Sequence, residues 1–312
     1  MSDLHPPSYP HTNLTVFGDR PFETIGYAGA DAVILPIPLD RTTSYVQGTR
    51  FAPREILAAS SQLETWDEEL EFDLEEVGIH TLPEMELPSE DLEAVATEIR
   101  TVATHVFSAD KFLIGVGGEH SITPALVAAA ARHSSPLHVL QIDAHADLRD
   151  TYLGSRLNHA CAMRRVLETC ASTQVGIRSL SREEAQVAPT LQTRLFFDTR
   201  MRRDENWIAD VVDGLGDHVY VTIDCDGLDL ALMPAVGTPE PGGLTWPELT
   251  SLLRSVFSAR RVVGCDIVEL CPIPGLVAHP FLCAKLILKI LAYRFARRDR
   301  WAVGEAAPQI DE

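Results

Sequence analysis

The sequence predicts an α/β protein built on a mostly parallel, doubly wound sheet, and three observations carry that prediction. Short runs rich in Val, Ile and Leu alternate with amphipathic helical patterns along most of the chain. Most of these runs are continuously apolar, which is typical of strands covered on both faces. With 312 residues and 46% apolar composition, the chain can also bury a large core. A closed eight-stranded barrel shows the same alternation and is the alternative topology.

Eight segments are predicted as strands because each is short, apolar and followed by a turn or a helical pattern. They are residues 32–38, 77–82, 111–117, 137–143, 172–178, 193–198, 218–224 and 261–270. Between them, apolar periodicity predicts helices over residues 89–109, 123–132, 159–168, 205–215, 245–257 and 280–297. Residues 1–29 have little periodicity and are predicted to form an N-terminal arm. Since no linker or repeat interrupts the pattern, residues 1–312 are predicted to form a single domain.

The formal charge of −19 makes a nucleic-acid or anionic-membrane partner improbable, because an acidic surface repels both. The same acidity would attract a small cationic substrate, although solubility is the simpler explanation of the charge alone. Six cysteines form no CxxC pair, which favours reduced thiols in the core. The N-terminus lacks the pattern of a signal peptide, and no apolar run is long enough for a membrane helix. The chain is therefore expected to be cytoplasmic.

Acidic and histidine side chains follow three of the predicted strands. Residues two apart on an extended backbone point to the same side, so alternating acidic and histidine positions after a strand are expected to aim at one point. In open α/β sheets and in barrels, ligands gather beyond the carboxyl ends of the strands. The residues in these positions are His120 after the third strand, Asp143, His145 and Asp147 after the fourth, and Asp224 and Asp226 at the end of the seventh.

The four carboxylates in this set would repel one another if nothing neutralised them. Two divalent cations carry the opposite charge, so the set favours a binuclear metal site. Mixed imidazole and carboxylate ligands without thiolate suit Mn²⁺ better than Zn²⁺ or Ni²⁺. Each motif alone has a structural explanation, such as a capping or salt-bridging pair. Their occurrence together at three strand ends is what favours the metal site.

Five segments resemble the ureohydrolases, the family of arginase and agmatinase. They are GGEHS (117–121), DAHADLRD (143–150), IDCDGLD (223–229), GTPEPGGLT (237–245) and GCDIVEL (264–270). Residues 36–56 and 63–70 resemble bacterial agmatinases in particular. The resemblance implies a three-layer α-β-α sandwich with an eight-stranded, largely parallel sheet and no barrel. It also implies two Mn²⁺ ions and a homotrimer or homohexamer.

The same resemblance implies a role for each matching residue. One metal would be held by His120, Asp143, Asp147 and Asp224, and the other by Asp143, His145, Asp224 and Asp226, so that Asp143 and Asp224 bridge. His159 matches the catalytic histidine, and Glu269 matches the carboxylate that binds the substrate guanidinium. Thr238, in a rigid Gly- and Pro-rich loop, is a further candidate for substrate contact. Leu230 departs from the proline that commonly follows this motif, and only a local change in the turn is expected.

The expected chemistry is attack by a metal-bridging hydroxide on a guanidinium carbon, with His159 carrying the proton to the leaving amine. Residues 148–158 resemble agmatinase, so the expected reaction converts agmatine to putrescine and urea. Arg149 and Arg156 would suit an anionic substrate tail, which keeps guanidinobutyrase and formimidoylglutamase activity open. Arginase and guanidine hydrolase activities are further alternatives. A catalytically silent, metal-stabilised family member is the alternative from a different class.

Overall fold

The computed structural model describes residues 5–12, 15–19 and 26–296, and its centre is one open sheet of eight parallel strands. The strands of this sheet are β2 (Ala32–Ile37), β5 (Ile79–Thr81), β7 (Phe112–Gly117), β8 (Leu137–Ile142), β9 (Ala171–Ile177), β10 (Thr193–Phe197), β11 (His218–Asp224) and β12 (Arg261–Val268). Their order across the sheet is β10-β9-β8-β11-β12-β7-β2-β5. All eight predicted strands are therefore present. The sheet has two edges, at β10 and β5, so the barrel alternative is wrong.

Helices cover both faces of the sheet. They are α1 (Gly26–Gly29), α2 (Ala52–Ser60), α3 (Leu92–Ser108), α4 (Thr123–Ala131), α5 (Ala162–Val166), α6 (Arg182–Val187), α7 (Asp198–Met201), α8 (Trp207–Asp213), α9 (Trp246–Ala259) and α10 (Ala278–Phe295). Among residues 5–12, 15–19 and 26–296, none of these helices combines the length and the apolar character needed to cross a bilayer.

Two hydrophobic clusters, one on each face of the sheet, produce the three layers. Along β2, Ala32 and Ile34 pack into the cluster that includes α2, α8, α9 and α10. The alternate residues Val33 and Leu35 pack into the cluster that includes α3, α4 and α5. Because neighbouring side chains leave a strand on opposite faces, a continuously apolar strand needs a helical layer on each side. The predicted three-layer sandwich is confirmed.

Two short antiparallel pairs lie outside the main sheet. In one, β1 (His11–Thr12) pairs with β6 (Glu84–Met85), and in the other β3 (Trp66–Asp67) pairs with β4 (Phe72–Asp73). The first pair attaches part of the predicted N-terminal arm to the sheet region. Residues 1–4, 13–14 and 20–25 of that arm lie outside the described residues, as does residue 297 of the predicted last helix.

Helix predictions succeeded where the periodic pattern was long and failed where it was short. Helix α5 is shorter than the predicted 159–168, because residues 159–161 form a 3-10 turn before it. Within the described residues, four helices were missed, namely the short helices α1, α2, α6 and α7. The nine residues of α2 begin at Ala52, and Pro53 lies in the first turn. The six residues of α6 depend on a capping box in which Ser181 and Glu184 bond each other's backbone N–H groups.

The sheet order explains why the polar strand ends meet. Strands β7 and β8 are consecutive in the chain, but β12 and β11 lie between them in the sheet. The connections to these strands therefore diverge, which opens a crevice at their carboxyl ends. The four strands that precede the predicted site residues are these adjacent central strands.

Gly118 allows the chain to turn sharply into this crevice after β7. A side-chain Cβ at this position would lie 1.9 Å from the carbonyl oxygen of Leu39. The close approach is used for hydrogen bonding, since the N–H of Gly118 donates to Ile37 O and that of Glu119 donates to Leu39 O. The turn therefore fixes both His120 and the segment that follows β2.

Gly118→Ala is expected to lower the free energy of unfolding by at least about 2 kcal/mol, because the added methyl group separates two hydrogen-bonded backbone segments. Chemical denaturation measures the loss. Gly154→Ala is the control, since Gly154 has a left-handed backbone (φ +81°) but open space around its Cβ, so it reports backbone strain without a close contact. The control is expected to cost only about 1 kcal/mol from backbone strain. Equal losses in the two variants would show that the close approach at Gly118 is unimportant.

Candidate metal centre and active site

The turn after β8 carries three of the predicted metal ligands, but not by the expected geometry. Strand β8 ends at Ile142, and Asp147 has a left-handed backbone with φ +51°. The expectation of an extended backbone from Asp143 to Asp147 is therefore wrong. The side chains of Asp143, His145 and Asp147 converge because the backbone curls around the site. A regular extended backbone would not bring Asp147 to the same point.

Hydrogen bonds hold Asp147 in this backbone conformation. Arg164 N–H donates to Asp147 O at 3.0 Å, and the buried carboxylate of Glu184 accepts from Leu148 N–H at 2.9 Å. The side chain of Gln174 donates to Ala146 O at 2.7 Å. A left-handed aspartate costs free energy that the surrounding contacts must offset, and such strain is concentrated at functional sites.

His120 is surrounded by carboxylates. Its Nδ1 atom lies 3.1 Å from Asp143 Oδ2, 3.2 Å from Asp147 Oδ2 and 3.3 Å from Asp224 Oδ2. Despite these distances, this buried nitrogen has no hydrogen-bond partner among residues 5–12, 15–19 and 26–296. Three oxygen atoms and one nitrogen thus point at one small volume without satisfying each other.

A second convergence shares Asp143 with the first. His145 Nδ1 lies 2.9 Å from Asp226 Oδ2 and 3.7 Å from Asp143 Oδ1. Asp226 is fixed by the N–H of Ala144, which donates to its Oδ1 at 3.0 Å. Two sets of side chains are close enough to hold a metal ion each, namely His120 with Asp143 and Asp147, and Asp143 with His145 and Asp226.

The charges in this cluster shift several pKa values. Burial raises the pKa of Asp147 to about 6, with the Asp143 charge adding to the effect. Burial and the charge of Asp226 raise the pKa of Asp224 well above its usual range. Burial alone would lower the pKa of His145, but Asp226 and Asp143 outweigh it and raise the pKa to about 12. The protein alone therefore neutralises this cluster by retaining protons.

Divalent cations fit this donor set. The Nδ1 atom of His120 is unpartnered, and carboxylate oxygens surround it. One cation between these atoms can be coordinated by all of them. Because Asp143 belongs to both sets, two cations can share it as a bridge. Carboxylate and imidazole donors without thiolate match Mn²⁺-type sites. Cys225 is adjacent to two of these aspartates in the sequence, but it is not a metal-ligand candidate. Its Sγ atom points into the core and lies 3.6 Å from the Sγ atom of Cys283.

A layer of polar side chains supports the ligands, and sequence reasoning did not find it. Gln141 donates to Asp143 Oδ2 at 2.5 Å. Thr222 Oγ1 lies 3.0 Å from His120 Nε2 and donates to the fully buried Asp266 at 2.6 Å. Such partners fix the orientation and tautomer of metal-binding side chains. Gln141 and Thr222 each lie two residues before a candidate ligand, Asp143 and Asp224, on a mostly apolar strand. That spacing is the sequence signal that identifies these supporting residues.

Glu269 and His159 lie side by side at the edge of the cluster. Glu269 follows β12 in a left-handed conformation (φ +63°), and its Oε1 accepts the N–H of His120 at 2.7 Å. His159 Nδ1 lies 3.7 Å from the same oxygen. Burial lowers the pKa of His159, but the neighbouring Glu269 carboxylate outweighs it, so the pKa is raised. The Nε2 atom is buried and has no hydrogen-bond partner within the described parts of the chain.

A cavity of about 180 Å³ opens beside the cluster. Ser44, Arg149 and Tyr152 also line it, and the Arg149 guanidinium lies over the Tyr152 ring at 4.8 Å. Thr238 lies 3.5 Å from Asp226. Seven of the nine predicted site residues line the cavity, namely His145, Asp147, His159, Asp224, Asp226, Thr238 and Glu269, while His120 and Asp143 lie buried behind it. The structure thus brings all nine to one place.

The fold and the site together define an α/β protein with room for two metal ions at the carboxyl edge of a parallel sheet. Comparison with known sequences agrees, because the profile of the arginase family matches residues 30–292. The chain therefore belongs to the arginase family, a family of binuclear metal enzymes, and the predicted resemblance to it is confirmed.

Individual relatives show how similar the chain is to other members. An N(1)-aminopropylagmatine ureohydrolase of Synechocystis sp. is 41% identical over 275 residues, covering 86% of this chain and 90% of that protein. An agmatinase of Pyrococcus horikoshii is 36% identical over 255 residues, covering 80% and 87%. The crystal structure of an agmatine ureohydrolase of Thermoplasma volcanium has a TM-score of 0.82 and 33% identity, covering 95% of this chain and 98% of that chain.

The pKa shifts predict how the stability of the metal-free protein depends on pH. Asp147 binds its proton more tightly in the folded chain, with a pKa of about 6 against an ordinary 3.8, so its contribution to folding is lost as pH rises through about 6. His145 has a folded pKa of about 12 against 6.5, so its contribution fades above 6.5. Chelator-treated protein is therefore expected to melt at a lower temperature at about pH 8 than at about pH 5.5.

Differential scanning fluorimetry at the two pH values tests this expectation. Added Mn²⁺ is the control, because a cation competes with these protons and should stabilise the protein more at the higher pH. A higher melting temperature of the metal-free protein at the higher pH would show that the cluster does not retain protons in the folded state.

Proposed function

We propose that this protein is a metal-dependent hydrolase that releases urea from a guanidino amine of the agmatine type. One observation carries the proposal: a donor set for two cations, the Glu269 carboxylate and the His159 imidazole meet at one cavity. This combination suits a planar cation that must be bound, attacked by water and protonated at its leaving group. The names of the similar ureohydrolases support the same reaction class.

We infer that the resident metals are two Mn²⁺ ions. His120, Asp143, Asp147 and Asp224 would hold one, and Asp143, His145, Asp224 and Asp226 the other. When bound, such ions act as Lewis acids and generate a strong nucleophile from water near neutral pH. Hydrogen bonds hold the carboxylates of Asp143, Asp224 and Asp226 in place, so these groups need little reorganisation during the reaction.

Glu269 is proposed to bind and orient the guanidinium group. One of its oxygens is held by His120 N–H, which fixes the carboxylate relative to the metal ligands. A carboxylate can bind a guanidinium through two charge-assisted hydrogen bonds. This contact would place the guanidinium carbon over the metal site and keep its plane in one orientation.

His159 is proposed to deliver a proton to the leaving amine. The pKa of its ring is raised, because the Glu269 carboxylate stabilises the charged form. The unpartnered Nε2 atom provides a nitrogen that is free to meet the substrate. A positioned imidazole of this kind typically contributes about 10²–10⁴-fold to the rate of such a step.

The mouth of the cavity supports a cationic tail more than an anionic one. Arg149 lines the cavity, but it lies over Tyr152 and its Nε is 3.8 Å from Glu184 Oε2. Arg156 is directed elsewhere, because it pairs with Glu168 at 2.7 Å. Agmatine and N(1)-aminopropylagmatine are therefore the two favoured substrates, and the second is named by a relative at 41% identity. Guanidinobutyrate, formiminoglutamate, arginine and guanidine are less favoured.

The remaining expectations are also proposals. The chain is proposed to assemble as a homotrimer or homohexamer and to supply putrescine or a related polyamine. All six cysteines are free thiols, which supports a reducing compartment such as the cytoplasm. A silent family member is disfavoured by the presence of every predicted ligand together with His159 and Glu269.

A substrate panel tests the proposed activity. Urea release is measured from agmatine, N(1)-aminopropylagmatine, guanidinobutyrate, formiminoglutamate, arginine and guanidine, with Mn²⁺, Ni²⁺ or Zn²⁺ added to metal-depleted protein. The highest kcat/KM is expected for one of the two amines in the presence of Mn²⁺, because Arg149 lies beside Glu184 and Arg156 pairs with Glu168, so neither favours an anionic tail. Greater activity on arginine or an anionic compound would overturn the substrate proposal. A metal-loaded protein that releases no urea from any compound would favour the silent alternative.

Asp143→Ala is expected to remove both metals and to lower kcat/KM by at least about 10³-fold, because the side chain is shared by the two donor sets. Inductively coupled plasma analysis of the dialysed protein and urea release are the two measurements. Asp229→Asn is the matched control, since the Asp229 side chain accepts the N–H of Ala231 in the same loop as Asp226 and an amide oxygen can replace it. An Asp143→Ala variant that retains one metal would contradict the bridging role.

A further inference from the structure

The segment after β2 contacts the active site through a buried carboxylate that the proposed reaction does not use. Glu119 precedes the metal-binding candidate His120 and is fully buried. Its Oε2 accepts the backbone N–H groups of Arg41 at 2.7 Å and Thr42 at 2.6 Å. Its Oε1 accepts the hydroxyl groups of Thr42 at 2.8 Å and Ser121. Four donors on one carboxylate fix residues 41 and 42 against the metal-binding turn.

The Thr42 hydroxyl continues this connection to His159. It donates to Glu119, and it accepts the backbone N–H of His159 at 2.9 Å. The neighbouring Asn158 side chain donates to Thr42 O at 3.3 Å and caps the same turn by accepting Ala160 N–H at 3.0 Å. Residues 42 and 159 are 117 positions apart, so this contact joins two distant parts of the chain at the site.

The turn that carries His159 needs such support. It is a single 3-10 turn, His159–Cys161, and its first N–H groups have no partner inside the turn. Glu269, which faces the His159 ring at 3.7 Å, is held by His120 N–H from the other side. Glu119 and His120 are adjacent, so both members of the His159–Glu269 pair are anchored to the same short segment after β7.

We propose that Thr42 is a positioning residue for His159, with Glu119 as the fixed acceptor that orients the Thr42 hydroxyl. A hydroxyl that donates to an ionised carboxylate must direct its lone pairs elsewhere, and here they meet the His159 N–H. The inference rests on the proposed role of His159 in protonating the leaving amine. It assigns a task to the 36–56 segment, which also brings Ser44 to the cavity.

A double-mutant cycle tests the proposal. Thr42→Val keeps the side-chain shape and removes both hydrogen bonds, so kcat is expected to fall about tenfold with little change in KM or metal content. Thr42→Ser restores the hydroxyl and is expected to remain within about twofold of the wild type. In a His159→Ala background, Thr42→Val is expected to have almost no further effect on kcat, because the group it positions is gone.

Thr43→Val is the matched control on the same segment. The Thr43 hydroxyl donates to Asp40 at 3.0 Å, so this variant also loses a loop hydrogen bond, but not one to His159. It is expected to keep the wild-type kcat. Thermal melting of each variant reports any general loss of stability. If Thr42→Val does not fold, Thr42→Ala, which leaves space for a water molecule at the hydroxyl position, is measured in the same cycle.

The outcomes separate this inference from the proposed function. A His159→Ala variant with full turnover would reject the proposed role of His159 in catalysis. The proposed role of Thr42 in positioning His159 would then be rejected with it. An impaired His159→Ala variant with an additive loss from Thr42→Val would reject the inference alone. A Thr42→Ser variant as impaired as Thr42→Val would also reject it, because the hydroxyl would then not be the active feature.

Discussion

The mutual repulsion of four aspartates at the centre of the sheet is the constraint on which the rest of the site depends. Asp143, Asp147, Asp224 and Asp226 all lie in the protein interior around two imidazoles. Removing charged groups from water is costly unless opposite charge or protons compensate. The metal-free chain meets this requirement by protonation, which is why the pKa values of Asp147 and the two histidines rise. Cations that bind the same donor atoms would take the place of those protons.

Holding the ligands together also requires strained backbone, and rigid contacts elsewhere offset the cost. Asp147 and Glu269 both have left-handed conformations that non-glycine residues rarely adopt. Arg178 supports the neighbouring turn by donating to the carbonyl oxygens of Asp226 at 2.6 Å and Glu240 at 3.0 Å. It therefore joins the turn of Asp226 to the loop of Thr238 through hydrogen bonds from its side chain to backbone carbonyl groups.

The sequence predicted most of the fold because strands buried on both faces are continuously apolar, a local pattern. It located the candidate ligands because polar residues directly follow those strands. The reason given for the convergence of Asp143, His145 and Asp147 was wrong, since the turn beyond Ile142 is curled. Thr42, Glu119 and Arg178 were not assigned their contacts, because their partners are backbone groups far away in the chain. Hydrogen bonds to main-chain atoms leave no signature in residue type.

The position of β12 between β11 and β7 has a consequence for biosynthesis. His120 and Glu269, which share a hydrogen bond, are 149 residues apart, and β12 is the last strand of the sheet to leave the ribosome. Until it inserts, the two halves of the crevice are not joined, and contacts of such long range form late in folding. A nascent chain without β12 therefore lacks the contact between His120 and Glu269 and has an incomplete crevice.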